Sequence, residues 1–471
     1  MIINISTIFC IIAILAFPIM RPLTALMVVA LSSFLGTYAF GFEDGVRILP
    51  GPVVAIAYCI WLGMQTLLGM KWRIHKSGLM WLWFLMVYAT IVTVLAPIVF
   101  GGSISVIRPG LIEQEVRWTV PLAFTSSTLA QIVYLWLSFI LLLKALTEAK
   151  KERFELSKTF KFHYLFAVII SIGILIETVL GSIGAKVDIY AWLMGDSFLS
   201  LRSDRYALSG IFGLDIHRAQ AVFGEPSFFS SYMIGIWGGL IVSARNSPSL
   251  GKIYGLGLIL VSTLLGFSTT GAIGIALVGL MALLVPLPEN GSSRSSNSSL
   301  SRVIRKLFII GIVVLSAMLF TVLLSDDSIF NYLFGKLSDT EGYESGNYSS
   351  GAERQYWNIV ALRAIFDSYG IGIGAGGTRA SSFFINFVAA YGIPGAVIML
   401  FGTIHLMRLL YKKSGYADNS DVKVSIMIFI GWMVGFFASV PDGMSFFYIW
   451  IHLGFIISTL YIRKRLAARG E

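Results

Sequence analysis

Apolar positions in this chain come in long unbroken runs. They do not alternate as in a half-buried strand, nor recur every three or four residues as on a soluble amphipathic helix. A hydrocarbon core about 30 Å thick takes about 20 apolar residues per helical crossing. Read this way, the pattern predicts thirteen helices, over 2–20, 23–40, 51–70, 78–100, 126–146, 163–183, 226–244, 253–269, 271–287, 307–324, 383–407, 424–440 and 446–462. The thinnest boundary lies at 269–271, where Ser268, Thr269, Thr270 and Gly271 barely interrupt two apolar runs. Strands are not credible at these lengths, because lipid leaves the backbone groups of an open strand without partners. The expected fold is an all-α polytopic membrane protein with 12–14 transmembrane helices in a single domain over 1–471. Two large outer loops are expected, at 184–225 and 325–382, with a flexible Ser-rich basic loop at 288–306 on the other side. The N-terminus lacks a basic region and a small-residue cleavage site, so it reads as a retained helix.

Composition sharpens this reading. Of the 471 residues, 56% are hydrophobic and 13% charged, whereas soluble chains carry about 25% charged residues. That excludes a soluble enzyme and a disordered or nucleic-acid-binding chain, despite a net charge of +10. Cys10 and Cys59 both sit in apolar runs, so neither a disulfide framework nor a cysteine metal site is indicated. There is no G-x-x-x-x-G-K-[ST] motif and no cytoplasmic domain to hydrolyse ATP. No internal repeat is evident, which weighs against a secondary transporter.

Charge also orients the chain. The connections holding Arg21, 71–76, 144–161, 245–252, 294–306, 408–423 and the tail from Arg463 carry 24 of the 35 basic residues and, with Glu289 of the same 288–306 loop, 7 acidic ones. The opposite connections carry 11 basic and 17 acidic residues. The positive-inside rule places the first set in the cytoplasm, with the N-terminus outside and the C-terminus inside. The two sides also differ in kind: 13 Lys and 11 Arg inside, but 9 Arg and only Lys186 and Lys336 outside. Arginine on the side that should avoid charge points to the planar fork that binds phosphate oxygens bidentately. Interfacial anchoring by snorkelling side chains is the plainer alternative.

The sharpest local signal is His217-Arg218-Ala-Gln-Ala-Val-Phe-Gly224-Glu225-Pro226-Ser227-Phe228-Phe229. Pro226 fits the first helical position, where its missing N–H costs nothing. The amides of Ser227, Phe228 and Phe229 are then expected to face outward at the positive end of a helix dipole, an anion-binding arrangement. Arg218, eight residues before Pro226, is expected to fold back over Gly224 to complete it. Glu225 falls at the cap, where it either caps the helix or serves as a general base beside a diphosphate. His217 is either a loop histidine or a second candidate base.

The second outer loop contains Glu353-Arg354-Gln-Tyr356-Trp357-Asn358 and continues through Arg363 and Asp367 to a glycine run from Gly370 to Gly377. Residues 353–368 read as an amphipathic helix along the surface, with Trp357, Val360, Ala364 and Ile365 on its apolar stripe. Arg354 and Asn358 share a face, while Arg363, nine residues on, points the opposite way. Gly370 is a natural helix stop, and Arg379 follows the glycines. Glu177 is an intramembrane carboxylate near the outer end of its helix. His405 and His452 lack metal-ligand spacing, and no D-x-D occurs, so no metal site and no cofactor are expected.

Taken together, Arg218 through Ser227 (R-x5-G-E-P-S), Ser268-Thr-Thr-Gly271, and Arg354 with Gly370 (R-x15-G) resemble the O-antigen polymerase and ligase superfamily, the Wzy-type repeat-unit polymerases and their ligase relatives. In the ligase branch a His-Asn pair opens the helix after the glycine run; Ser381 and Ser382 stand there, which favours a polymerase. The first loop lacks an R-x15-G of its own. The resemblance implies an inverting, metal-independent glycosyl transfer at the outer leaflet of a bacterial cytoplasmic membrane. The donor would be an oligosaccharide on undecaprenyl diphosphate, and a chain-length regulator is a candidate partner. Arg218 and Arg354 would hold the leaving diphosphate, with Ser227, Asn358, Arg363, Gly370 and Arg379 around the substrate. Glu225, backed by His217, would deprotonate the acceptor hydroxyl, and Tyr356 and Trp357 would stack on sugars. The alternatives are a ligase-type transferase and a transporter or flippase of lipid-linked oligosaccharides.

Overall fold

A computed structural model describes residues 5–35, 40–41, 47–68, 80–107, 119–151, 156–182, 207–208, 216–217, 221–223, 225–266, 268–285, 350–412, 420–439 and 446–467. Thirteen helices lie within them: α1 (Ile5–Ala16), α2 (Pro22–Ser32), α3 (Pro50–Leu67), α4 (Met80–Val99), α5 (Ser126–Lys151), α6 (Leu156–Ser182), α7 (Pro226–Asn246), α8 (Leu250–Leu264), α9 (Thr269–Leu284), α10 (Ser350–Asp367), α11 (Phe383–Lys412), α12 (Ser420–Ser439) and α13 (Phe447–Ala467). The strands among the described residues form three two-residue antiparallel ladders: β1 (Phe40–Gly41) with β2 (Arg47–Ile48), β3 (Ser105–Val106) with β4 (Val120–Pro121), and β5 (Ala207–Leu208) with β6 (Ile216–His217). The protein is all-α. Seven helices, α3 to α7, α11 and α12, are long and apolar enough to cross a bilayer, as expected of a multi-pass membrane protein.

Twelve of the expected spans coincide with helices, and the thirteenth, 307–324, lies outside the described residues, as does the loop 288–306. Four of the twelve, α1, α2, α8 and α9, are shorter than a full crossing. The largest shortfall is α2, expected to reach residue 40 but ending at Ser32. There the hydroxyls of Ser32 and Ser33 turn back to the carbonyls of Val29 and Ala30, both at 2.7 Å, and close the last turn. Conversely, α6 begins at Leu156, seven residues before the expected start. Its first turns carry Lys158 and Lys161, which an apolar window discards but a helix end tolerates. The interruption near 269–271 is real: α8 stops at Leu264 and α9 begins at Thr269, with Ser268 extended between them.

Helix α7 is the centre of the bundle. In its 18-residue span 94% of residues are buried, against 28–56% in the other six long helices. It packs antiparallel to α12, its most extensive partner, and against α9. The α7–α12 approach depends on small residues: a Cβ on Gly431 would sit 2.6 Å from the Gly235 Cα. Without a hydrophobic driving force between helices in lipid, this close backbone packing provides the association energy. An aromatic cluster of Phe34, His163, Phe223, Tyr232, Trp432, Tyr448 and His452 fills the bundle beside the first turns of α7.

Helix α11 is broken. Gly392 has φ 65° and ψ −172°, and Pro394 follows without an N–H to offer. The groups this break frees are taken up by the glycine run after α10. Ile373 and Gly374 donate their amides to the carbonyls of Ala389 and Ala390, each at 2.9 Å, and the Ile393 amide donates to the Gly370 carbonyl at 2.8 Å. Tyr88 and Thr93 of α4 close the other side, the Tyr88 hydroxyl donating to the Ile371 carbonyl at 3.0 Å and the Ala375 amide to Thr93 Oγ1 at 3.1 Å. Helical rise puts these contacts about 9–16 Å back from the end of α4 at Val99. Helix α10 and residues 370–382 therefore form a hairpin that reaches down along two long apolar helices. Helix α10 itself packs on α11 and β3, its Ala364 against Ile104, Val106 and Leu122 beyond the end of α4, with its apolar stripe buried. Irregular backbone at such depth is tolerated because protein surrounds and satisfies it.

Candidate functional site

The first turn of α7 has the local structure its sequence dictates. Pro226 opens the helix and Glu225 occupies the cap in an extended conformation (φ −135°, ψ 140°). Glu225 makes no side-chain cap bond; its Oε2 instead accepts from the Ser227 hydroxyl at 3.3 Å. Of the three amides expected to face outward, one does not. Phe229 donates to the Glu225 carbonyl at 3.1 Å, which leaves Ser227 and Phe228 as the first-turn donors outside the ladder. The approach to this turn is anchored by a single 3-10 turn, Ala221–Phe223. Phe223 is buried against Phe34 and Tyr232, with ring centroids 6.0 and 5.3 Å away. Burying that ring fixes where Glu225 stands.

The Ser268–Gly271 turn comes to the same place. A Cβ on Gly271 would lie 3.0 Å from Ser230 Oγ, one turn into α7, so α9 starts directly against the start of α7. The last turns of α12 complete this end of the bundle. Phe228 meets Phe446 edge-on at 5.4 Å, and Phe446 meets Phe436 at 5.1 Å. Phe383, the first residue of α11, meets Phe437 at 6.0 Å, and the Ser382 hydroxyl donates to the Phe437 carbonyl at 2.8 Å.

Through Ser381 and Ser382 the hairpin joins the same end. Asn358 holds Ser381 with both halves of its amide: Nδ2 donates to Ser381 Oγ and Oδ1 accepts from the Ser381 amide, each at 2.9 Å. Arg379 lays its guanidinium over the Trp357 ring at 3.9 Å, and its amide donates to the Ile107 carbonyl at 2.8 Å. Trp357, Val360, Ala364 and Ile365 are all buried, so the stripe read from sequence is the packed face of α10. Trp357 therefore presents its ring to Arg379 rather than to a sugar. Among the described residues its indole Nε1 and the buried Thr378 hydroxyl have no hydrogen-bond partner.

The helix stop differs in detail from the sequence reading. The Gly370 amide reaches back to Ile365 and that of Tyr369 to Phe366, the paired bonds of a Schellman motif. The left-handed residue that closes it is Tyr369, at φ 54°, and Gly370, at φ 74°, extends the turn.

The candidate site residues thus separate. Glu225 and Ser227 stand at the start of α7, while Asn358 and Arg379 hold the top of the hairpin beside α11. Arg354 lies one turn before Asn358 on α10, partly buried. Arg363 is exposed, on the side away from Arg354. Gly370 lies at the far end of α10, about 24 Å from Arg354 by helical rise, and acts through the α11 break. His217 is placed in β6 opposite Ala207. Arg218 lies outside the described residues. No group of three or more His, Cys, Asp or Glu residues among the described residues is placed to hold a metal. Sequence reading missed Thr93, Ile107 and the carbonyls of Ala389 and Ala390 as partners, because each lies far along the chain from the residue it binds. Comparison of the chain with known protein families, with curated proteins and with solved structures finds no match.

Proposed function

We propose that this protein is a membrane glycosyltransferase that polymerises oligosaccharide repeat units carried on undecaprenyl diphosphate, at the outer leaflet of a bacterial cytoplasmic membrane. One observation carries this reading. The Glu225–Ser227 turn, the Ser268–Gly271 turn and the Asn358–Ser381 clasp, distant in sequence, all gather around the first turns of α7 and the last turns of α12. These include the segments whose motifs resemble the O-antigen polymerases.

In this reading the donor diphosphate lies across the mouth of that end. Arg354, with Arg218 from the first outer loop, spreads the charge of the leaving diphosphate as the glycosidic C–O bond breaks, the role a metal fills in other transferases. Ser227 and the first-turn amides of α7 that lie outside the helical ladder supply neutral donors at the helix N-terminus. Glu225 takes the proton of the acceptor hydroxyl as that oxygen attacks the anomeric carbon. Asn358 and Arg379 position the hairpin rather than touch the reacting atoms, while Arg363 lies exposed on the opposite face of α10 and Gly370 shapes the α11 break. Rupture of the lipid–diphosphate bond to sugar drives the transfer, so no nucleotide is consumed.

The broken helix α11 favours one second reading, a lipid-linked oligosaccharide transporter, since discontinuous helices mark transporter sites. Against it, the carbonyls of Ala389 and Ala390 and the Ile393 amide are already bonded to the glycine run, so those groups are not open to a substrate. A reconstitution decides between the two. Purified protein is given lipid-diphosphate-linked repeat units, with and without Arg354→Ala. Polymerisation yields a ladder rising by one repeat, lost in the variant. Relocation of the lipid-linked sugar across the bilayer, with no ladder, rejects the transferase.

A further inference from the structure

Two buried polar features beside the Glu225–Ser227 turn are not used by the transferase reading. The first is the hydroxyl of Ser230, one turn into α7 and 0% exposed. A buried helical serine ordinarily returns its hydroxyl to the carbonyl four residues back. Ser231 does so, donating to the Ser227 carbonyl at 2.8 Å. Ser230 does not, and among the described residues its Oγ has no hydrogen-bond partner. The second feature is the start of α9. Ser268 stands at the cap, a residue type suited to bonding first-turn amides, yet its side chain makes no cap bond. The Ala272 amide donates to the Ser268 carbonyl at 3.0 Å and opens the ladder, which leaves the amides of Thr270 and Gly271 outside it. Ser268, Thr270 and Gly271 are all buried. No acidic side chain in this turn answers the positive end of the dipole.

The two features face each other. From the point a Cβ on Gly271 would occupy, Ser230 Oγ is 3.0 Å away and Ser230 Cβ 3.3 Å, so the hydroxyl is directed at the first turn of α9. The third atom near that point, the Thr263 carbonyl oxygen at 3.5 Å, already accepts from the Gly266 amide. With no side chain at residue 271, nothing stands between the hydroxyl and that turn. A helix start buried without a cap calls for an outside partner, and one that presents donors from two helices selects an oxyanion. Water would satisfy the hydrogen bonds and leave the dipole unanswered. Ser227 and Ser230, three residues apart, share one face of α7 and are separated by about 4.5 Å along its axis. The starts of α7 and α9 therefore form a stepped pair of positive helix ends. Two linked phosphates match such a pair, and a single phosphate serves only one of them.

We propose that the start of α9, with Ser230 opposite it, is a phosphate subsite. The Thr270 and Gly271 amides and the Ser230 hydroxyl hold one phosphate of a lipid-linked diphosphate, while the start of α7 holds the other. The assignment rests on the transferase reading for the identity of the ligand. No bond is made or broken at this subsite; it anchors the group that leaves.

The test is calorimetric titration of the full-length protein in lipid nanodiscs with farnesyl diphosphate, without an acceptor so that no turnover occurs. Ser230→Ala should weaken binding about tenfold or more, the effect of one hydrogen bond to a charged group. In the unliganded protein the same substitution should leave thermal stability unchanged or slightly raised, because it deletes an unpartnered buried hydroxyl. Ser231→Ala, which removes a hydroxyl already bonded within α7, should leave the affinity as it was. Farnesyl monophosphate should bind about tenfold less tightly than the diphosphate. Unchanged affinity in Ser230→Ala overturns the subsite, and so does an equal loss in Ser231→Ala. Equal binding of inorganic phosphate and farnesyl diphosphate also overturns it, since the site would then be one for free phosphate. The two readings fail separately. A Ser230-dependent diphosphate affinity in a protein that makes no ladder removes the transferase and keeps the subsite, whereas a ladder with unchanged affinity in Ser230→Ala removes the subsite alone.

Discussion

Replacing Gly392 by alanine tests the hairpin that underlies the site. The residue sits at φ 65° and ψ −172°, a region open essentially to glycine alone, so alanine there costs about 1–3 kcal/mol. The added methyl would also collide with the carbonyl oxygens of Gly370 and Ile371. Both are backbone atoms already bonded to other groups, so neither can swing aside as a side-chain tip would. The glycine run must therefore separate from α11 and give up three backbone bonds, Ile393 to Gly370, Ile373 to Ala389 and Gly374 to Ala390. At about 1 kcal/mol net for each, the total is about 4–6 kcal/mol. Even the lower figure changes the closed-to-open ratio of the hairpin by close to a thousandfold. Thiol accessibility provides the assay. A cysteine introduced by Ala375→Cys, at a position 5% exposed, is placed in a chain lacking Cys10 and Cys59. In membranes it should resist maleimide with Gly392 present and react rapidly once Gly392→Ala is added, while the protein stays in the bilayer. Equal reaction rates in the two backgrounds would refute the argument that the break in α11 and the glycine run hold each other.

Three further outcomes follow from single contacts. Arg245 of α7 caps the end of α9, its guanidinium donating to the Ala282 carbonyl at 2.5 Å and that of Val285 at 3.2 Å. Arg245→Met should lower unfolding stability by about 1.5–3 kcal/mol, since charge-assisted bonds to helix-end carbonyls are lost; an unchanged transition in a denaturant titration would count against the cap. Asn358→Leu removes both bonds to Ser381, and should cut transfer activity more than tenfold while far-ultraviolet circular dichroism holds; full activity would show that the clasp positions nothing. Trp357→Phe keeps the aromatic face under Arg379 but deletes an unpartnered buried N–H. Thermal unfolding should show it neutral or slightly stabilised, and a loss above about 2 kcal/mol would mean that the indole N–H is bonded after all.

Much of the bundle is legible in the sequence, because apolar length is a strong signal where lipid is the solvent. The starts and stops that depend on one local residue are legible too: Pro226 opens α7, and the stripe of Trp357, Val360, Ala364 and Ile365 is the buried face of α10. What hydropathy misses is backbone conformation. The run from Phe383 through Met399 reads as one continuous span, yet Gly392 and Pro394 divide it. The partner that satisfies the division lies some twenty residues earlier, in a glycine run whose spacing alone carries little information. The closure at Tyr369 was hidden for a related reason: a bulky residue in the left-handed region is not expected beside an available glycine. In the site, the position of Glu225 was readable because capping is local. The gathering of Gly271, Ser382 and Phe446 around it was not, since each contact is set by how α7, α9, α11, α12 and α13 pack.

The central claim is that sugar transfer takes place at the α7–α12 end of the bundle without a metal. Its most direct test is a proteoliposome assay in EDTA, with lipid-diphosphate-linked repeat units as donor and acceptor, in the wild-type protein and in Glu225→Gln. Products are sized by repeat number, and a membrane-impermeant lectin reports the leaflet that holds them. The account predicts a ladder that is unaffected by EDTA, accessible on the α7–α12 side and lost in Glu225→Gln. A ladder that vanishes in EDTA, or one that persists undiminished in Glu225→Gln, would contradict it.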